Sequence, residues 1–164
     1  MNKKIGIIFA LVFLAFLVMG TASAGIFDIF GGDEVQNQTY DFGGFSLDIP
    51  EDAVVVNETT DEDGLTLDTF VVTLADGDSY IVEKLSGNIV SSMDEFKINA
   101  GSLGAKFTDE YGNWTVFDMK NVDTGDDVEY HPYMLAQHDG EHIYQLEGKD
   151  LDSLKSLADT FKAE

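Results

Sequence analysis

The chain has 164 residues, with 31 acidic side chains against nine basic ones and a net charge of −22. A charge of that sign argues against a nucleic-acid binder, which must neutralise phosphates, and against docking on anionic lipid headgroups. There is no cysteine, which removes disulfides, zinc thiolates, a cysteine nucleophile and a lipid anchor on cysteine.

The first 24 residues, MNKKIGIIFALVFLAFLVMGTASA, read as an export signal. Lys3 and Lys4 form a positive start, Ile5 to Met19 is an unbroken apolar run, and Ala22-Ser23-Ala24 is a small-x-small cleavage site that leaves Gly25 first. The run is shorter than the roughly 20 residues a spanning helix needs. An uncleaved N-terminal anchor is the alternative, and the one route to the membrane. Residues 25–39, GIFDIFGGDEVQNQT, read as a flexible tether with an apolar cluster at its start.

Residues 40–164 make one domain. The whole chain is 44% hydrophobic and seven of its twelve Phe fall in this domain, enough for a core, so the acids form a solvated, self-repelling surface and not a disordered chain. A salt-loving source would produce the same charge. Phe45-Ser46-Leu47-Asp48-Ile49 alternates as a half-buried strand that Pro50 stops, and Ala53 to Val56 is a short β-branched run. DEDG (61–64) is a turn. Leu65–Leu74 and Ser79–Leu85 form a hairpin across Ala75-Asp76-Gly77-Asp78. Met93, Phe96, Ala100, Leu103 and Phe107 then fall three or four apart, the spacing of one helix face, with Ser91 or Ser92 as cap and Gly101 and Gly104 where the helix lies close on the sheet. Trp114–Met119 is a strand and VDTGDD (122–127) a loop. Glu129–Gln137 and Glu141–Glu147 form a second hairpin. Leu151 to Lys162 is an amphipathic closing helix capped by Asp150. Strands, helix, strands, helix in that order predict an α+β fold, an antiparallel sheet covered by helices.

The stretch most suggestive of chemistry is HDGEH, residues 138–142. Asp139-Gly140 is a two-residue turn signature that sets His138 opposite Glu141 and Gln137 opposite His142. Alternation then puts His138 and His142 on opposite faces, unable to share an ion, and leaves Tyr133, Leu135, Tyr144 and Leu146, with His131, on the core face. The stretch therefore reads as a turn. DEDG, DGD (76–78) and DTGDDVE (123–129) offer carboxylates to calcium, but none has the spacing of an EF-hand loop. No catalytic, cofactor or metal residue is assigned. The candidate modification sites are Asn37, Asn57 and Asn113, each in an Asn-x-Thr sequon.

FSLDIPEDA (45–53) resembles the opening strand, proline and acidic turn of exported PsbP-like and Mog1-like domains, and YQLEGKDLDSLKSLADTF (144–161) resembles their closing strand and helix. The resemblance implies an α/β/α sandwich used as a binding or accessory module and carries no functional residue across. The lysine-bearing signal, acidic body and lack of cysteine resemble small exported proteins of methane-producing archaea. Together these features predict an exported, non-enzymatic binding or accessory domain at the cell surface, with an envelope protein or glycan as partner and no cofactor. The alternatives are a calcium-dependent adhesion-like module and a carboxylate-based hydrolase of envelope glycans.

Overall fold

A computed structural model describes residues 36–62, 64–87, 92–120, 122 and 131–163. The export signal, residues 25–35 of the tether, Ser91 and the acidic stretch 123–129 lie outside the described residues. Among those described, no helix is long and apolar enough to cross a membrane.

The elements are β1 (Asn37–Asp41), β2 (Phe45–Pro50), β3 (Val54–Glu62), β4 (Leu65–Thr73), β5 (Ser79–Gly87), α1 (Met93–Ser102), β6 (Lys106–Tyr111), β7 (Trp114–Asp118), β8 (Tyr133–His138), β9 (His142–Gly148), α2 (Leu151–Ala158) and β10 (Lys162–Ala163). Seven strands form one antiparallel sheet in the order β3-β4-β5-β9-β8-β7-β6, and β1-β2-β10 form a small second sheet. The fold is α+β and mostly antiparallel sheet. The large sheet is covered on both faces, but not by helices alone. On one face Tyr144, Leu146, Leu135, Val82 and Trp114 pack against Phe45, Leu47 and Ile49 of the small sheet and Leu154 and Leu157 of α2. On the other, Leu67, Leu85, Phe117 and Ile143 pack against Phe96 and Ala100 of α1. The central strands β5 and β9 are therefore buried on both sides, and β2, expected to be half-buried, has Phe45, Ser46, Leu47 and Ile49 all buried.

Several boundaries differ from the sequence expectation for identifiable reasons. β1 opens at Asn37, ahead of Tyr40, because its polar residues pair along β2 from Pro50 to Ser46. β3 continues past Val56 to Glu62, held in register by β4 from Val54↔Thr73 to Glu62↔Leu65. As an outer strand wet on both sides, it needs no hydrophobic alternation. α1 is capped by Ser92, whose Oγ accepts from Glu95 N at 3.2 Å, but it ends at Ser102. Gly104 takes a positive φ of 105° and turns the chain into β6, a strand the helical spacing had concealed. Phe107 belongs to that strand and is 46% exposed. Gly101 does not mark a close approach, since a Cβ there would meet nothing within 4 Å.

The closing helix follows its periodicity. Asp150 caps it, accepting from Ser153 N at 2.8 Å, and Leu154, Leu157 and Ala158 are buried. It lies tight on the sheet because β9 ends in Gly148, where a Cβ would come within 3.1 Å of both Leu154 Cδ2 and Tyr80 Cδ1. The helix stops at Ala158 instead of running to Lys162, which pairs with Ser46 in β10.

Candidate functional site

The HDGEH turn is wider than its Asp-Gly pair suggests. His138 pairs with Ile143 and Gln137 with Tyr144, so four residues, not two, form the loop. The cause is Asp139. Its Oδ1 accepts from the backbone N–H of Glu141 at 2.8 Å and of His142 at 2.7 Å, and its Oδ2 accepts from Tyr144 OH at 2.8 Å. A side chain that satisfies two loop amides replaces the tighter backbone turn. Partial burial works against the charge on Asp139, but these donors outweigh it and hold the carboxyl well below the usual range. Burial and the bond to Asp139 raise the Tyr144 hydroxyl. The two-residue register is thus corrected, while the separation of the histidines stands. His142 shares the Tyr144 side, with ring centroids 5.9 Å apart, and His138 shares the side of Ile143. His131, expected on the face of Tyr133, instead sits with its Nε2 3.4 Å from Ser79 Oγ.

The two acidic turns among the described residues do not converge. DEDG joins β3 to β4 and DGD joins β4 to β5, so they lie at opposite ends of a nine-residue strand, roughly 30 Å apart. Asp61 accepts from Thr66 Oγ1, Asp76 accepts from the N–H of Asp78, and Asp78 is paired with Lys149 at 2.8 Å. Among the described residues no three His, Asp or Glu side chains are grouped to hold a metal ion.

What sequence reasoning missed lies inside the sheet. One register row across the α1 face reads Thr115, Ala136, Gln145, Glu83, Thr69, Glu58 from β7 to β3. Glu83 is completely buried, and Glu147, its diagonal neighbour on the same face, is 2% exposed. Glu83 accepts from Thr69 Oγ1 at 3.1 Å and from Gln145 Nε2 at 3.0 Å, whereas Glu147 Oε1 has no hydrogen-bond partner among the described residues. Burial raises both carboxyls above their ordinary range, and the charge of Glu147 pushes Glu83 further in the same direction. On one face of a dry layer both carboxyls thus favour the protonated form more than a carboxyl in water does. The signal was present in SYIVEKL and YQLEG. An acid inside an apolar run is buried when the strand is covered on both faces, and the alternation had been read for a strand covered on one.

At the surface, Asn37, Asn57 and Asn113 are all exposed. In two of the sequons the Thr is exposed and bonded across the pair, Thr39 Oγ1 to Asp48 and Thr59 Oγ1 to Asp68. In the third, Thr115 is buried and donates to Glu110 Oε2 at 3.3 Å. Trp114 is buried against Phe161, and Tyr111 donates to Asp159. The large exposed apolar side chains sit at the two outer strands: Val54 and Val56 on β3, and Phe107 on β6 with Ile98 on the neighbouring α1. In comparisons with known proteins, no family model, curated sequence or solved structure matches the chain.

Proposed function

We propose that the chain is an exported, non-enzymatic binding or accessory domain of the cell surface, and that its architecture is a variant of the PsbP/Mog1-like sandwich. One observation carries the reading. The groups suited to proton chemistry, Glu83 and Glu147, are sealed inside the sheet, while the apolar groups left in water line its outer strands. A glycan hydrolase needs two carboxyls open to the substrate on either side of the scissile bond; a binding domain needs accessible apolar anchors with a polar surround. The N-terminal pattern of Lys3, Lys4, the apolar run and Ala22-Ser23-Ala24 supports export, and the strand–helix–strand–helix order supports the architecture.

Two measurements test this. Protein recovered from its native envelope should read GIFDIF at its N-terminus. The double substitution Glu83→Gln/Glu147→Gln should leave co-sedimentation with isolated envelopes unchanged. Release of reducing ends from envelope glycan, stopped by that double substitution, would replace the binding reading with a hydrolase.

A further inference from the structure

The two outer strands of the large sheet are not equivalent. β6 has six residues, and its register is broken between Phe107 and Asp109. Lys97 lies over the Phe107 ring at 4.7 Å and pairs with Glu110 at 2.8 Å. A bulge and a charge held across the strand are the usual protections of a sheet edge. β3 has neither. It runs for nine residues in unbroken register with β4 and pairs with no other described strand. Its outward side is a row of backbone donors and acceptors about 30 Å long. Val54 is 61% exposed and Val56 46% exposed, at the end where the chain arrives from β2. From Glu58 onward the strand turns acidic. The hairpin 54–73 holds Glu58, Asp61, Glu62, Asp63 and Asp68 and no lysine, arginine or histidine.

We propose that the free edge of β3 takes up an extended, lysine- or arginine-bearing segment of a partner protein as an added strand. The proposal rests on the reading of the chain as a binding domain and names the partner's chemistry. Strand addition satisfies the open backbone groups, and affinity comes from that ladder. Apolar side chains of the incoming segment cover Val54 and Val56, and its cations meet Glu58, Asp61 and Glu62. Charge selects the occupant. A second copy of this chain would set the five acids of one hairpin against the same five of the other, on molecules that each carry −22. Like charges across a ladder oppose pairing, so the acids disfavour self-association while recruiting a cationic strand.

The test uses the full chain and a nine-residue peptide of five lysines followed by four valines, the order in which an antiparallel strand sets valine beside Val54 and Val56 and lysine beside Glu58, Asp61 and Glu62. Three peptides serve as comparisons: one with glutamate for lysine, one with a central proline, and one with the same lysines and valines in strict alternation, which puts every valine on one face and every lysine on the other. Binding is followed by fluorescence anisotropy and its location by amide hydrogen exchange. The block peptide should bind at least tenfold more tightly than each comparison and slow exchange along 54–62. Val56→Lys and Glu58→Lys should each weaken it at least tenfold while the thermal midpoint is kept. Equal binding of the alternating peptide would reduce the effect to bulk charge and overturn the proposal. Protection at another strand would overturn the choice of edge but leave the binding reading intact. A peptide-free dimer that protects 54–62 would overturn the cationic partner in favour of a second copy.

Discussion

Asp139 and Glu147 place opposite pH dependences in one hairpin. Asp139 has its folded-state pKa depressed by loop amides, so its contribution to stability is present above the ordinary Asp value of about 3.9 and is lost as pH falls through the folded value. Asp139→Asn should flatten the acid limb of a stability–pH curve, measured by chemical denaturation between pH 2 and 6. Glu83 and Glu147 are raised by burial. The folded state keeps their protons where the unfolded chain releases them, so their contribution is full below about pH 4.3 and declines as pH rises toward the folded values. Glu147→Gln should therefore match the parent near pH 4 and exceed it by about 1–3 kcal/mol at pH 8, because a neutral amide replaces a charge with an unpartnered oxygen. A loss of stability at pH 8 would mean that the carboxylate is held by its surroundings.

At the scale of elements, α2 is the part whose energetics the sequence showed best. Its apolar residues fall on one side, a helix this short is marginal alone, and the side is filled by sheet contacts. Leu154→Ala should cost about 2–5 kcal/mol, whereas Lys155→Ala, which removes a cation 5.3 Å from the Tyr111 ring, should cost less than about 1 kcal/mol. Parallel urea titrations separate the two. In the β8–β9 loop, Gly140 has φ +109° with open space where a Cβ would sit, so Gly140→Val should lose about 1–3 kcal/mol by backbone strain alone. Inner strands and caps were legible because burial writes a period and helix ends need side-chain acceptors. β3 beyond Val56 and β6 were not, since an edge strand in water leaves no period, and Phe107 happened to continue the spacing of α1. The wide loop was hidden by a carboxylate that outcompeted the Asp-Gly turn. Glu83 and Glu147 were hidden by the second cover of the sheet, which periodicity along a single strand does not reveal. The free edge of β3 also carries the exposed Asn57, so a sugar chain there and an added strand would exclude one another. Enzymatic glycosylation of Asn57 should abolish peptide protection at 54–62.

For the whole molecule, a surface of one sign stores repulsion that salt relieves. Stability should rise between 0.05 and 1 M sodium chloride in thermal melts, as screening shortens from about 14 Å to about 3 Å, while binding of a cationic strand should weaken over the same range. The small sheet has a consequence of another kind. β1 and β10 flank β2 and are both antiparallel to it, so the described chain enters beside Pro50 and leaves beside Phe45, at opposite ends of one strand. Tension between these two points runs along the strands and loads their hydrogen bonds in shear, all at once, instead of unzipping them singly. Five paired residues hold the entering side and two the leaving side, so the domain gives way first at β10, handing the load to α2 and to Leu154 over Gly148. Under tension applied to both ends of the described chain, rupture follows the unfolding barrier and not the equilibrium, so resistance to pulling and chemical stability are separate quantities for this fold.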